Sequence, residues 1–171
     1  TDFNLGNLSD ILSAFFGEDI FGGMGGQPHR RRGGDVHVEV EVDILEDGTL
    51  DHPDDVLAAL DVVIASVHSK LRMPAPQMTE RMVRAVANPH VDVLGHCTGR
   101  MIAKRDPSQF DPDYVFAACA RFSTAVEINC RPERLDPPRP LLAMAIEHGC
   151  HFTIDTDAHA TGQLEWLPKG C

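Results

Sequence analysis

Apolar and polar residues alternate strictly from Val36 to Ile44, and this period of two predicts a β-strand with one buried face. A continuous apolar run at Val62–Val67 is typical of a strand buried on both faces of a parallel sheet. Shorter apolar runs predict three further strands, at Val91–Leu94, Ala125–Ile128 and Phe152–Ile154.

The segments between these strands predict helices. Thr79 is expected to cap the second helix, and Gly149 to close the fourth. Strands and helices therefore alternate, which indicates βα units, a parallel sheet and the α/β class. The predicted helices are Pro53–Leu60, Thr79–Ala87, Asp111–Phe122 and Pro138–Glu147.

Residues 1–35 differ from this pattern. They contain one short apolar segment, Ile11–Phe16, then a glycine-rich stretch, Gly22–Gly26, and a basic cluster, His29–Arg32. Glycine has the most backbone entropy to lose on folding, and little here can be buried to offset that loss. We expect a flexible Gly-rich arm over 1–35, whose arginines form a solvated linker in preference to a phosphate site, and a folded part over 36–171.

Composition limits the classes of function. The formal net charge of -11 disfavours a general nucleic-acid binder unless metals or a local basic patch offset the repulsion. The 5 cysteines form no CxxC pair, which favours a reducing cytoplasm. No apolar run is long enough to span a membrane and no signal peptide is evident, so we expect a cytoplasmic chain without a membrane partner.

Metal-binding types of side chain occur where the predicted strands end. Carboxyl ends of parallel strands meet at one edge of a sheet or barrel, so these side chains are expected to converge. Imidazole and carboxylate groups bind Zn, Mn or Fe, and the set predicts a divalent-metal site. The candidates are Glu41 and Asp43 on the first strand, His68 and His96 after the second and third, Glu127 and Asn129 on the fourth, and Asp155, Asp157 and His159 after the fifth.

Each candidate also has a structural interpretation. A single His at a strand end is more often a hydrogen-bonded structural residue, although two of them on successive strands with an Asp-x-His favour a site. Glu41 and Glu39 share one strand face, which is also the pattern of a solvent-facing edge strand. Asp43 has the alternative of a turn residue, and Asp155 that of a structural partner.

Five segments carry motifs in a characteristic order: Glu41–Leu50, Ala65–Ser69, Asn88–His96, Glu127–Asn129 and Asp155–His159. Together they resemble the PHP (polymerase and histidinol phosphatase) family, especially the PHP domains of family X DNA polymerases and their free-standing relatives. The resemblance covers Glu41 to Cys171. It implies a distorted seven-stranded (βα) barrel that binds several metal ions and hydrolyses phosphoesters, including histidinol phosphate and DNA 3′ ends.

The resemblance also assigns roles to individual residues. It implies that Glu41 bridges two metal ions and that His68 and His96 hold one of that pair. By the same resemblance, Asp157 ligates the other ion and His159 belongs to a third position.

Glu127 and Asn129 also match the family's motifs, whereas the start of the chain departs from them. Glu127 and Asn129 are implied to support the ligands or to pack, and not to bind metal. The family's opening strands carry a His-x-His and further histidines, whereas residues 1–34 contain only His29. We therefore expect a partial (βα) barrel of about five of the seven strands, with impaired activity and open edges that favour self-association.

The first 42 residues have a resemblance of their own. Asn7–Gly17, the glycines and Arg31–Val42 resemble the Gly/Phe region and first client-domain strand of a DnaJ-type co-chaperone. The two resemblances overlap at Glu39–Ile44, which suggests a join between two unrelated genes.

The leading hypothesis is a PHP-type metal-dependent phosphoesterase, acting on a small phosphoester or a DNA 3′ end with Zn, Mn or Fe. The alternative is a catalytically inactive metal-binding or interaction remnant, or a chimeric or truncated gene product. The sequence leaves open which of these applies.

Overall fold

A computed structural model describes residues 39–170, which form an α/β fold around one parallel sheet. The strands are β1 (Glu39–Asp43), β2 (Val62–Ser66), β3 (Val93–Leu94), β4 (Ala125–Asn129) and β5 (Phe152–Asp155). The helices are α1 (Asp54–Leu57), α2 (Ala75–Val86), α3 (Pro112–Phe122) and α4 (Arg139–Glu147), followed by a 3₁₀ segment at Thr161–Gly170. The expected arm at 1–35 and the first residues of the predicted opening strand lie outside the described residues.

The strand order is β1-β2-β3-β4-β5, and every neighbouring pair is parallel. Each connection therefore leads to the neighbouring strand, always in the same direction across the sheet, without the reversal of strand order that marks a doubly wound sheet. This sequential order is consistent with part of a (βα) barrel. The α/β class and the parallel sheet predicted from the sequence are confirmed.

The buried core lies between the sheet and helices α2 and α3. Met78 and Met82 of α2 and Phe116 of α3 are fully buried, as are Val42 of β1 and Val126 of β4. Met78 and Met82 share one face of α2, as the period of a helix requires for two side chains in the same core. Among the described residues, no helix is both long and apolar enough to cross a membrane.

The start of α2 differs from the prediction. The helix begins at Ala75 with Pro76 in its first turn, where the missing N–H of proline costs no intrahelical hydrogen bond. Thr79 is therefore not a cap. Its hydroxyl donates to the Ala75 carbonyl at 2.8 Å and accepts from the Asp111 amide at 2.8 Å, which ties α2 to the start of α3. The closing role of Gly149, at φ 75°, is confirmed.

A buried arginine connects the loops that follow β1 and β2. Arg81 of α2 is 1% exposed, and its guanidinium donates to the Ile44 carbonyl and, at 2.9 Å, to the Ser69 carbonyl. These two carbonyls directly follow Asp43 and His68 in the chain. Arg81 thus holds together two strand ends that carry candidate site residues.

Candidate metal centre

Strand register places the candidate residues at one edge of the sheet. Asp43 is paired with Ser66, and β2 ends there, so His68 extends just beyond the sheet on the strand next to Glu41 and Asp43. His96 follows β3 at the equivalent place. The predicted convergence of these side chains at the carboxyl ends of the strands is present in the structure.

Three ligand-type atoms, from Glu41, His68 and His96, lie within 4.8 Å of one another. The Glu41 Oε1 atom is 2.9 Å from His96 Nε2 and 3.4 Å from His68 Nε2, and the two Nε2 atoms are 3.3 Å apart. Ligands at about 2.1 Å from a tetrahedral metal are separated by about 3.4 Å. The three atoms therefore fit one face of such a coordination shell.

The electrostatics of the group suit a cation. Hydrogen bonds from His68 and, second, from His96 hold the pKa of Glu41 far below its ordinary value, against the effect of burial. The hydrogen bond to Glu41 raises the pKa of His68 to about 9, with a smaller contribution from Asp43, again against burial. Two carboxylates on one imidazole supply the negative charge that a divalent cation requires.

Asp43 orients the His68 ring. Its carboxylate pairs with His68 Nδ1, which leaves Nε2 directed at Glu41 and His96. Metal-binding histidines in proteins commonly have such a carboxylate behind them, because it fixes the tautomer and the ring orientation. The sequence interpretation of Asp43 as a turn residue missed this contact, since the pairing joins the end of β1 to the loop after β2, 25 residues further along the chain.

Glu127 supports His96 from behind. The His96 amide donates to Glu127 Oε2, and the Asn129 side-chain amide donates to Oε1 at 3.1 Å. Burial raises the pKa of Glu127 to about 8, the His96 amide opposes this shift, and the negative charge of Asp155 adds to it. Glu127 thus contacts the backbone of the site, and Asn129 contacts Glu127.

Asp157 and His159 lie in the same cleft as Glu41 but outside the group of three. The cleft has a volume of about 760 Å³ and an apolar side that includes Ile154 and Leu164. Asp157 Oδ1 is 3.6 Å from His159 Nδ1, and the His159 side chain is 73% exposed. The structure therefore gives Asp157 and His159 a position near the centre without joining them to it.

Two arginines neutralise Asp157. Its Oδ2 atom is 3.0 Å from Arg134 Nε and 3.3 Å from Arg131 Nη1. The Asp157 amide donates to Asp155 Oδ1 at 2.5 Å, in line with the interpretation of Asp155 as a structural partner. Sequence reasoning did not include Arg131 and Arg134, although both follow β4 at the same edge, because arginine is not a metal ligand.

Comparison with known proteins adds relatives of named function. The chain is 43% identical over 131 residues to the DNA polymerase/3′-5′ exonuclease PolX of Bacillus subtilis, covering 77% of this chain and 23% of that protein. It is 34% identical over 151 residues to a probable phosphatase of Thermoanaerobacter sp., covering 82% and 59%. A probable phosphatase of Caldanaerobacter subterraneus is 30% identical over 149 residues, covering 81% and 56%. No protein-family model matches the chain.

These relatives support a PHP-like relationship. The chain spans 23% of the length of PolX and 59% of the length of the first of these probable phosphatases. The comparisons do not support the resemblance of residues 1–42 to a DnaJ-type co-chaperone, and most of that segment lies outside the described residues.

Proposed function

We propose that this chain is a metal-dependent phosphoesterase of the PHP type, built on part of that family's seven-stranded barrel. The observation that carries the proposal is the convergence of Glu41, His68 and His96 in a chain similar to probable phosphatases. The sequential parallel sheet supports it, because it presents its strand ends along one continuous edge.

Glu41, His68 and His96 would hold one divalent ion, with Zn, Mn or Fe suited to this set of oxygen and imidazole donors. When bound, such an ion supplies Lewis acidity, which polarises a phosphoryl oxygen and acidifies water. The protein's own part is to orient the donors: Asp43 fixes the His68 ring, and Glu127 fixes the backbone at His96.

Asp157 and His159 are proposed as ligands of further ions, at a cost that the first site does not have. An ion at Asp157 competes with Arg131 and Arg134 for the same oxygen. Occupancy there would require these ion pairs to rearrange, so the site formed by Glu41, His68 and His96 is expected to fill first.

The proposed substrate is a phosphoester that fits the cleft beside Glu41. The names of the relatives favour either a small phosphate ester or a DNA 3′ end, and a cytoplasmic location accords with both. The apolar side of the cleft, with Ile154 and Leu164, suits the organic part of either substrate.

Hydrolysis of p-nitrophenyl phosphate and its bis-ester, with added Mn or Zn, tests the proposal. We expect turnover that His68→Ala and His96→Ala each reduce by at least about a hundredfold, since loss of a ligand removes the metal. His151→Ala is the matched control, because His151 is exposed and its backbone carbonyl makes its contact with β4.

Absence of hydrolysis with every divalent metal would contradict the catalytic proposal. The pairing of Asp157 with two arginines favours one specific alternative, a chain that binds a single ion without turnover. Elemental analysis distinguishes the two, because about one metal per chain without hydrolysis supports the inactive metal-binding remnant.

A further inference from the structure

We propose a second binding site, for a phosphate group, in a cleft formed by Arg72, Arg100, Lys104 and Arg105. The cleft has a volume of about 460 Å³ and lies in the loops that follow β2 and β3. It shares no lining residue with the cleft beside Glu41. Arginine and lysine at such a density recognise phosphate through charge-assisted hydrogen bonds.

The charges of this cleft are not neutralised within the described part of the chain. None of its four basic side chains forms an ion pair with a carboxylate of residues 39–170, and Asp106 is the single acidic residue of the lining. The whole chain has a formal net charge of -11, so this cluster of positive side chains differs in sign from the charge of the chain as a whole. A local positive surface on an acidic protein favours an anionic ligand at that place.

Backbone hydrogen bonds fix the two central arginines in position. Arg100 Nε donates to the Arg134 carbonyl at 2.8 Å, and Arg105 Nε donates to the Gly99 carbonyl at 2.7 Å. Carbonyl partners orient a guanidinium without cancelling its charge. Burial and, second, the positive charge of Arg134 lower the pKa of Arg105, and the negative charge of Asp136 opposes this shift.

The loop itself is ordered by its own hydrogen bonds. Met101 and Arg105 exchange backbone bonds of 2.9 and 2.8 Å, and the Ile102 amide donates to the Glu133 carbonyl at 2.6 Å. Gly99 has φ 60°, and a Cβ there would lie 2.9 Å from Leu71, so the loop that carries Arg72 packs directly against it. Preorganised donors of this kind lose little entropy when a ligand binds.

The position of the cleft relates it to the metal centre. His96 and Arg100 belong to the same loop, and the Gly99 amide donates to the His96 carbonyl at 2.7 Å. One loop thus supplies His96 to the centre and Arg100 to this cleft, and the phosphate bound here would be a second phosphate group of the substrate. That this phosphate belongs to a substrate rests on the proposed function, whereas phosphate binding by the cleft does not.

The test uses the full chain in excess EDTA, so that the result is independent of metal and of hydrolysis. One arm titrates inorganic phosphate and follows the Nε–H resonances of the arginines by NMR. The other follows a fluorescein-labelled single-stranded oligonucleotide by anisotropy at several salt concentrations. The variants are Arg72→Gln and Lys104→Gln, singly and together, because neither side chain makes a hydrogen bond to the rest of residues 39–170.

Arg121→Gln is the matched control, since it removes the same charge from an exposed position in the last turn of α3, at the opposite edge of the sheet. We expect the double variant to weaken binding about tenfold and the control to leave it unchanged. Binding of phosphate alone supports the site and assigns it to a small phosphate ester, whereas binding of both probes supports it and assigns it to a phosphodiester chain. Failure of the wild-type chain to bind either probe, or an equal loss in the control, would overturn the proposal.

Discussion

At the scale of single residues, the short contact network around His68 determines how well the centre can hold an ion. His68 uses Nδ1 for Asp43 and directs Nε2 towards Glu41, so the ring cannot rotate without losing both partners. His96 is held differently, by burial to 3% exposure and by the Glu127 contact at its amide. The two histidines should therefore respond differently to changes around them.

Replacing Asp43 with Ala tests the orienting role. We expect Zn affinity to fall by about 10- to 100-fold without being lost, because the ligands themselves remain. The pKa of His68 in metal-free protein should also fall below about 9, since one of the carboxylates that raise it is gone. Chelator competition measures the first effect and NMR titration the second. Asp55→Ala, an exposed acid on α1, is the control, and an equal loss of affinity in both variants would contradict the orienting role.

Glu127 predicts a pH dependence of stability. Its pKa is raised from 4.5 to about 8 by burial, so the folded state binds the extra proton between these values. The free energy of unfolding should therefore decrease as pH rises through this window, by up to about 1.4 kcal/mol per pH unit from this group. The contribution is fully present below about pH 4.5.

The measurement is urea unfolding in EDTA at pH 5, 6, 7 and 8, comparing wild type with Glu127→Gln. The variant cannot ionise at this position, so its stability should fall less steeply with pH. Parallel curves for the two proteins would show that Glu127 does not titrate in this range.

At the scale of elements, the turn after β3 is the tightest part of the site. The Gly95 amide donates to the Ala65 carbonyl at 3.0 Å, and a Cβ on Gly95 would lie 2.2 Å from Ser66 Oγ and 2.9 Å from Ile64 Cγ2. Close approach of β3 to β2 at this point places His96 beside His68. The glycine is therefore required by space and not by an unusual φ.

Gly95→Ala should destabilise the fold by about 1–3 kcal/mol, because the methyl group would overlap Ser66 Oγ and Ile64 Cγ2, and these side chains or the turn must shift to admit it. Since a shift of the turn moves His96 relative to His68, metal affinity should fall as well. Thermal unfolding and metal titration measure the two effects. Gly162→Ala is the control, with nothing within 4 Å of its added Cβ, and should be close to neutral. Equal stability of the two variants would contradict the packing argument.

Sequence patterns predicted the elements better than their boundaries. The alternation before Ile44 and the run at Val62–Val67 depend on burial of local residues, and both strands are present. The start of α2 was missed because its prolines resemble a helix breaker until one knows that they occupy the cap and the first turn. The final 3₁₀ segment was not predicted, since all of its residues lack deep burial and so show no strong period.

At the scale of the whole molecule, β1 and β5 are the edge strands of the sheet, each with one neighbouring strand among the described residues. Open edges present unpaired N–H and C=O groups that favour association with another chain. The apolar residues of the cleft side, Ile154, Leu164 and Leu167, are 42%, 59% and 47% exposed. Association would remove part of this surface from water.

We therefore predict concentration-dependent self-association. Sedimentation velocity over a range of protein concentrations should show a growing fraction of a larger species. Introducing Lys at Ile154 should reduce association, whereas Lys at Val56, an exposed apolar residue on α1, should not. A single monomeric species at all concentrations, with a sharp melt at high temperature, would contradict the prediction.

The sequence by itself determined the α/β class, the parallel sheet and the identity of the residues at its carboxyl edge, because buried apolar residues recur along the chain with the period of a strand or a helix. The pattern of apolar and polar residues could not determine which of those residues meet, and only the resemblance to the PHP family grouped Glu41 with His68 and His96. Whether Asp43 faces His68, and whether Asp157 faces arginines or other ligands, depends on register, on loop paths and on the direction of side chains from different strands. The tertiary structure places the ligand atoms of Glu41, His68 and His96 close enough together to bind one metal ion. It leaves Asp157 paired with Arg131 and Arg134, since these contacts join residues far apart along the chain.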